Sequence, residues 1–456
     1  MKKYYKYLPL FLQNLAITVK NNHSYYQKYG AIPFINPLYK IVNRLSVDNQ
    51  INDGNVVERI NNLINHAIEN TNYYKENKHY YPNIKTLEEI RNLPVLKKEI
   101  LKKQNVDFIS LKSNFLNSYS FKTSGSTGTP LKGKIALKDL RKRFLVVLAA
   151  LKSEGIDYSK TVARFPGANI GDSRNVFRID FINNHYLFSI YNISQSNIKK
   201  YYNAFIKNKI QIVEGYPSTI YSLVKLFKLN HLKIESVKHV ITTAEQLLDY
   251  QKQEIEDFFH CKVFDYYGSS EGSAFIYLTS IGTYINANKI GFIEIVDENY
   301  NPVKNGEFGR ILVTSFTSTF TPLIRYDIGD YCSASFNAEI YSSKPLYINK
   351  LGGRSEDIFI TEDGTYFSRF SLCLKYLPDY VIESQLILQQ RCKNVTLKYI
   401  AIKKDSEINQ KDFKPFIEKF ESMLGKGYRF NFEKVQYFDK SSRGKLRAVK
   451  IIDNGE

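Results

Sequence analysis

Between residues 210 and 268, short apolar runs alternate with segments of helical periodicity. The run IQIVEGYPS (210–218) predicts a strand and a turn, and TIYSLVKLFKL (219–229) predicts a helix. The segments SVKHVITTAEQL (236–247) and CKVFDYYGSSEG (261–272) each predict a buried strand that leads into a polar loop. Alternation of this kind is typical of an α/β fold with a parallel sheet, in which ligands bind at the loops that follow the strands.

The pattern changes after residue 290. The segment 291–316, GFIEIVDENYNPVKNGEFGRILVTSF, has two strand-like runs around a turn with the pair Asn-Gly, which predicts antiparallel pairing. A domain boundary is expected near KLGGRSEDIF (350–359). We therefore expect a large N-terminal domain at residues 1–353, built of sheets flanked by helices, and a smaller α+β domain at 354–456.

Two earlier segments have apolar residues at helical spacing, residues 57–68 and 140–151, and each predicts an amphipathic helix. The basic N-terminus has an apolar run at residues 7–19, which is too short to cross a bilayer. A helix packed on the body of the protein is the expected structure there. A helix that makes peripheral contact with a membrane surface is the open alternative.

The net charge of +19, from 64 Lys and Arg against 45 Asp and Glu, favours anionic partners such as nucleotides and phosphates. A nucleic-acid-binding surface would need these cations to be clustered, and they are spread along the chain, so nucleic acid is not an expected partner. The four cysteines stand apart from one another and predict neither a zinc site nor a disulfide framework. A reducing cytoplasm is the expected location.

The run TSGSTGTPLKG (123–133) contains many hydroxyl side chains and glycines together. Two glycines allow the backbone N–H groups to turn toward an anion, five hydroxyl residues, Thr129 included, add donors, and a lysine adds positive charge. These properties predict a loop that holds a polyphosphate, although the spacing differs from that of a Walker A loop. The residues concerned are Thr123, Ser124, Gly125, Ser126, Thr127, Gly128 and Lys132.

Residues 123–130 resemble the phosphate loop of the adenylate-forming (ANL) superfamily, T-S-G-[ST]-T-G-x-P. Within it, the chain looks most like the phenylacetate–CoA ligase group and its capsular-polysaccharide branch. The segment TTAEQL, with Ala244 and Glu245, is similar to the family's adenine loop, although its first position is Thr.

The segment DYYGSSEGS (265–273) resembles the Tyr-Gly-x-[Ser/Thr]-Glu motif of this family. The resemblance implies that Tyr267 and Gly268 lie at the adenine, with the tyrosine ring stacked on the base. It implies that Ser270 lies at the α-phosphate and that Glu271 holds Mg²⁺, which suits a hard carboxylate.

Three later motifs continue the resemblance in family order. PLIRYDIGD (322–330) implies that Asp330 accepts hydrogen bonds from the ribose hydroxyls. GGRSEDIF (352–359) is similar to the hinge motif, in which Arg354 reaches the nucleotide and Glu356 occupies the hinge position usually held by Asp. SSRGKLRAV (441–449) implies that Lys445 is the catalytic lysine.

The resemblance implies an ATP- and Mg²⁺-dependent ligase that activates a carboxylic acid as an acyl-adenylate and then transfers it to an amine or hydroxyl, in surface-polysaccharide assembly. The first alternative is an acyl- or aryl-CoA synthetase, with the thiol of CoA as acceptor. The second is a nonenzymatic basic protein that binds nucleic acid or membrane. Arg164 and Tyr216 are candidate residues of the acyl pocket.

Overall fold

The fold is described from a computed structural model of the 456-residue chain. The structure describes residues 5, 7–30, 37–44, 55–122, 131–167, 170, 175–335, 341–354, 359–360, 366–367, 371–389, 392–438 and 446–452. Among these residues, no helix is long and apolar enough to span a membrane.

The α-helices begin with a long N-terminal helix and are then distributed along both domains. They are α1 Leu10–Tyr29, α2 Pro37–Arg44, α3 Val56–Asn70, α4 Asn72–Glu76, α5 Lys98–Lys103, α6 Leu137–Ser153, α7 Ile198–Lys207, α8 Pro217–Leu229, α9 Asp249–Phe259, α10 Ser371–Leu374 and α11 Lys414–Leu424. Helices α3 and α6 confirm the two amphipathic helices predicted from the apolar spacing.

Most strands belong to one large sheet, preceded by a hairpin and followed by a separate C-terminal sheet. They are β1 Ser118–Lys122, β2 Lys132–Ala136, β3 Val162–Arg164, β4 Phe177–Asp180, β5 His185–Phe188, β6 Ile212–Gly215, β7 His239–Thr243, β8 Val263–Gly268, β9 Phe275–Leu278, β10 Tyr284–Asn286, β11 Gly291–Val296, β12 Phe308–Ser315, β13 Tyr326–Ser335, β14 Tyr347–Arg354, β15 Phe359–Ile360, β16 Tyr366–Phe367, β17 Val381–Gln389, β18 Asn394–Ala401, β19 Arg429–Lys434 and β20 Val449–Ile452.

In the described residues the large sheet has twelve strands, in the order β11-β12-β13-β14-β10-β9-β8-β7-β6-β3-β5-β4. Strands β5, β3, β6, β7 and β8 are parallel, with α8 and α9 as crossovers, which confirms the predicted α/β unit. Strand β8 pairs antiparallel with β9, and β11 pairs antiparallel with β12 as the sequence predicts. The parallel half therefore continues directly into an antiparallel half.

The C-terminal sheet has the order β19-β18-β17-β20, with α11 packed on it through Phe416 and Phe420, and Phe413 directly before the helix is buried in the same core. The mixed α/β fold with a separate C-terminal unit is the predicted architecture. Arg354, where the sequence predicts the smaller domain to begin, is the last residue of β14 in the large sheet. The exact limits 1–353 and 354–456 stay a prediction.

Candidate active site

The carboxyl ends of the parallel strands β3, β6, β7 and β8 lie along one edge of the large sheet. Arg164 ends β3, Gly215 ends β6, Thr243 ends β7 and Gly268 ends β8. The loop after β7 starts at Ala244, which has the left-handed φ of 71° that a non-glycine residue rarely adopts. Ligands of open α/β sheets bind outside these strand ends, so this edge is where the predicted site residues are expected to meet.

Tyr267 and Asp330 are in contact, although 63 positions separate them in the sequence. The Tyr267 hydroxyl donates to Asp330 Oδ2 at 2.6 Å. Burial first, and then the charge of Asp330, raise the pKa of Tyr267 well above its usual value, so the phenol stays protonated as a donor. Across β13 and β14, Asp330 is the register partner of Arg354. The backbone therefore places the predicted adenine, ribose and nucleotide-contacting residues side by side.

Glu271 is buried, with 4% of its surface exposed, three residues after the end of β8. Its Oε1 accepts a hydrogen bond from the hydroxyl of Tyr326, at 3.2 Å, and Tyr326 lies on the same strand as Asp330. Ser270, by contrast, is exposed at the surface of the turn. Sequence reasoning did not assign a role to Tyr326, although the residue falls within the quoted motif PLIRYDIGD.

Arg143, on α6, is a second residue of this region that the sequence reasoning missed. Its guanidinium donates to the carbonyl and hydroxyl of Thr317 and to Ser318 Oγ. A Cβ added to Gly272 would lie only 1.9 Å from Arg143 Nη1, so the guanidinium packs directly against the backbone after Glu271. Burial lowers the pKa of Arg143 to about 10, and the nearby carboxylates of Asp139 and Glu271 oppose that shift. Arg143 thus positions the Glu271 turn.

The predicted phosphate loop, residues 123–130, lies outside the described residues, but its two ends are described. Lys122 on β1 pairs with Lys132 on β2, so the ends of this segment are neighbours in one hairpin. The backbone N–H of Lys134 donates to Thr321 Oγ1 at 3.0 Å, and the Thr321 hydroxyl donates back to the Lys134 carbonyl. The segment 317–321 therefore connects this hairpin to the Glu271 turn.

Glu245, in the predicted adenine loop, joins the two domains. Its Oε2 accepts from Ser218 Oγ at 2.6 Å, and its Oε1 accepts from the backbone N–H of Leu446 at 2.9 Å. Leu446 directly follows Lys445 in the sequence. Lys445 itself and the hinge residue Glu356 lie outside the described residues, so their predicted roles stay predictions.

No group of three or more His, Cys, Asp and Glu side chains in the described part of the chain could hold a metal ion. Mg²⁺ usually binds to one or two carboxylates together with substrate phosphates, so a single buried carboxylate such as Glu271 fits this type of site.

Arg164 and Tyr216, the two candidates for the acyl pocket, have different surroundings. Arg164 forms a two-point ion pair with Glu214, with Nε to Oε2 at 3.0 Å and Nη2 to Oε1 at 3.1 Å. Its side chain is 30% exposed, so a ligand can still reach it. Tyr216 is buried in an apolar cluster beside Ile220 and precedes α8. The structure thus gives Tyr216 the surroundings of a core residue.

A group of polar side chains surrounds the ion pair of Arg164 and Glu214, and we call it the polar cluster. The Tyr158 hydroxyl donates to Glu214, and the Tyr25 hydroxyl lies 2.8 Å from His185 Nδ1. Burial, the charge of Arg164 and the charge of Lys28 lower the pKa of His185 well below its usual value, so the ring is neutral. The members are Tyr25, Lys28, Tyr29, Tyr158, Arg164, His185, Glu214 and Tyr266.

Tyr266 connects the polar cluster to the predicted nucleotide residues. It precedes Tyr267 on β8, and successive side chains of a strand point to opposite faces of the sheet. Burial raises the pKa of Tyr266 to about 12, and Glu214 and Arg164 both act on it electrostatically. The polar cluster therefore lies on the opposite side of β8 from the region of Tyr267 and Asp330.

The fold brings Tyr267, Glu271 and Asp330 close together, and it is similar to the fold of solved CoA ligases. The family model of the CapK C-terminal domain matches residues 359–451. Protein CapK of Staphylococcus aureus is 26% identical to this chain over 471 residues, which cover 97% of each protein. Indoleacetate–lysine synthetase of Pseudomonas savastanoi is 31% identical over 144 residues, which cover 31% of this chain and 34% of that protein.

Among solved structures, 2-hydroxyisobutyryl-CoA ligase in its postadenylation state, in complex with R3-HIB-AMP, matches with a TM-score of 0.67 at 19% identity, covering 88% of this chain and 89% of that one. The thioesterification state of the same ligase covers the same shares and gives a TM-score of 0.55. The comparisons confirm the resemblance, the fold and the enzyme class predicted from the sequence.

Removing the Glu245 carboxylate is expected to separate the 446–452 segment from the large domain. We expect Glu245→Ala to slow acyl-adenylate formation about tenfold or more, because a hydrogen bond to a charged group contributes about 1.5–3 kcal/mol. ATP–pyrophosphate exchange measures this step. Ser218→Ala is the matched control, since it removes the hydrogen bond from Ser218 to Glu245 and leaves the Leu446 contact. Equal losses in both variants would contradict a specific role of the Leu446 contact.

Proposed function

We propose that this protein forms an acyl-adenylate from a carboxylic acid and ATP, and then transfers the acyl group to an amine or hydroxyl during surface-polysaccharide assembly. The observation that carries the proposal is the hydrogen bond from Tyr267 to Asp330, with Glu271 bonded to Tyr326 on the same strand as Asp330. Two motifs that are distant in sequence, 265–273 and 322–330, converge there, which supports a shared nucleotide site. The place in polysaccharide assembly is supported by similarity to CapK along nearly the whole chain.

In the first step, an oxygen of the substrate carboxylate attacks the α-phosphorus of ATP. The bond from the α-phosphorus to the bridging oxygen of the β-phosphate breaks, and pyrophosphate leaves with that electron pair. Negative charge therefore develops on the α-phosphate oxygens and on the leaving group. Preorganised donors and cations stabilise such charge in a site that excludes water.

The described residues can position the nucleotide for this attack. Asp330 has two carboxylate oxygens, and Tyr267 donates to one of them, which fixes the carboxylate for a ribose hydroxyl. Glu271 would hold Mg²⁺, which as a Lewis acid neutralises phosphate charge when bound. Lys445, next to the anchored Leu446, would supply a further positive charge to the phosphates.

We infer that the polar cluster receives the part of the acid that lies away from the reacting carboxylate. Glu214 is ion-paired with Arg164, and it acts on Lys28 only through its charge, so Lys28 has no carboxylate in direct contact among the described residues. The Lys28 ammonium lies 4.6 Å from the centre of the Phe144 ring, and burial and the charge of Arg164 lower its pKa to about 8. At neutral pH this cation therefore favours an acid that carries a second anionic group.

Lys28→Gln is expected to raise the KM for such an acid about tenfold or more, because it removes a charge-assisted contact. In the wild type, the same KM should rise as pH increases through about 8, since Lys28 loses its proton there. Steady-state ATP–pyrophosphate exchange from neutral to alkaline pH measures both effects. Lys20→Gln is the matched control on the exposed side of the same helix. An unchanged KM in Lys28→Gln would remove Lys28 from the acid pocket.

The proposed function is tested by ATP–pyrophosphate exchange with a set of carboxylic acids, amino acids and uronic acids, each dicarboxylic acid paired with its closest monocarboxylic analogue. We expect exchange with some acids, and faster exchange with the dicarboxylic member of a pair. Exchange only with neutral monocarboxylic acids would refute the second anionic group and leave the ligase activity intact. Absence of exchange together with absence of ATP binding in calorimetry would refute the ligase itself.

The acceptor is tested separately, once an acid is known. We expect AMP release to increase with an amine or hydroxyl acceptor and to be unchanged by CoA. AMP release that depends on CoA, with a thioester as the product, would replace the proposed transfer by the activity of an acyl-CoA synthetase.

A further inference from the structure

Helix α1 packs on the large domain through polar side chains. Gln13, Asn14 and Thr18 are buried against β4 and the turn after it. Arg178 Nε donates to Gln13 Oε1 at 2.8 Å, and the backbone N–H of Ile179 donates to Asn14 Oδ1 at 3.1 Å. A surface helix normally packs through its apolar side, whereas three of the five buried residues of α1 are polar, with Ile17 and Tyr25 as the apolar ones.

The opposite side of α1 is apolar and faces solvent. Phe11, Leu12, Leu15 and Val19 fall within a sector of about 100° on the helix, and Phe11 and Val19 are 65% and 62% exposed. The exposed ring of Phe181, after β4, extends this surface, with its centroid 6.3 Å from that of Phe11. We call these five residues the outer stripe. Contiguous exposed apolar surface of this kind marks an interaction site.

The first 47 residues of the sequence, which contain α1, carry only positive charge. Lys and Arg occur seven times before Asp48, which is the first acidic residue of the chain. Lys20 follows Val19 directly and is exposed, and α1 itself contains no acidic residue. Two copies paired through this helix would bring two such basic segments together, whereas an anionic lipid surface complements both the charge and the apolar side chains.

We propose that α1 lies in the plane of an anionic membrane surface, with the outer stripe inserted at the boundary between headgroups and acyl chains. The polar contacts of Gln13, Asn14 and Thr18 hold the helix on the large domain, so the stripe stays exposed without unfolding of any element. Lys20, exposed directly after Val19, pairs with the lipid phosphates. This inference is independent of the proposed ligase activity.

Co-sedimentation with vesicles tests the proposal on the full chain. We expect binding to vesicles of phosphatidylcholine and phosphatidylglycerol, weak binding to phosphatidylcholine alone, and a decrease with added salt. The double variant Phe11→Ser/Leu15→Ser should bind anionic vesicles about tenfold or more weakly, because two large apolar side chains no longer enter the bilayer. Tyr437→Ser, which changes a 79% exposed side chain of the C-terminal domain, is the control and should bind as the wild type does.

Three outcomes would overturn the proposal. One is the absence of binding to anionic vesicles by the wild type. Another is equal binding by the wild type and the double variant, which would reduce the contact to nonspecific charge. The last is a sedimentation-velocity result in which the wild type is a dimer and the double variant is a monomer. The outer stripe would then be a contact between two copies of the chain. Circular dichroism confirms that the substituted, exposed positions leave the fold unchanged.

Discussion

Replacement of Lys445 by alanine is expected to reduce acyl-adenylate formation about 10²–10³-fold, with the fold unchanged. A single preorganised donor to developing negative charge commonly contributes that much to the rate. The adjacent residue supports this expectation, since the backbone N–H of Leu446 is bonded to Glu245 in the loop that follows β7. Beyond Leu446, the segment is held by parallel pairing of β17 with β20. ATP–pyrophosphate exchange measures the adenylation step directly.

Lys450→Ala is the control for this substitution, because Lys450 is an exposed lysine five residues further along the same segment. It should retain exchange activity at the wild-type level. ATP binding by Lys445→Ala should also change little, since the lysine acts on charge that develops in the transition state. Near-normal exchange in Lys445→Ala would exclude this lysine from the chemistry.

Glu271→Gln is expected to lower adenylation about 10²-fold or more and to raise the Mg²⁺ concentration needed for half-maximal rate. The substitution removes the negative charge that a divalent cation requires. It keeps an oxygen that can accept the hydrogen bond from Tyr326, so the buried turn should stay intact. A Mg²⁺ titration of exchange activity separates loss of metal affinity from loss of rate.

Tyr326→Phe is the companion of Glu271→Gln, since it removes the hydroxyl donor and leaves the carboxylate. We expect a smaller loss of rate and little change in the Mg²⁺ dependence. If Tyr326→Phe were as damaging as Glu271→Gln, and the Mg²⁺ dependence of both were unchanged, Glu271 would have a structural role in the turn and no role toward the metal.

Local patterns in the sequence predicted the elements around the site but not the way in which they combine. The runs at 210–218 and 219–229 became β6 and α8, and the runs around Asn305 became the antiparallel pair β11 and β12. The continuous sheet, which has twelve strands in the described residues, was not predicted. Its two halves are joined by the antiparallel pairing of β8 with β9, and this pairing does not change the local hydrophobic periodicity of the sequence.

The sequence motifs predicted those site residues that belong to a family pattern, such as Tyr267, Glu271 and Asp330. Arg143 was missed because a charged residue within a helix normally faces solvent, and only the tertiary fold reveals that it packs against Gly272. The pairing of Arg164 with Glu214 was also missed, because it joins neighbouring parallel strands that lie 50 positions apart. Contacts of this kind depend on strand order and have no local signal.

The two consecutive tyrosines of β8 have a consequence for how the selectivity of such a protein can change. Tyr266 interacts with Arg164 and Glu214 on one side of the strand, and Tyr267 is bonded to Asp330 on the other. With the proposed acid pocket around Tyr266 and the proposed nucleotide site at Tyr267, a substitution at position 266 would alter the preferred acid and leave the hydrogen bond of Tyr267 to Asp330 in place. An insertion or deletion of one residue in β8 would exchange the two sides of the strand and disrupt the contacts of both tyrosines. Position 266 can therefore vary during evolution only while the length of β8 stays constant.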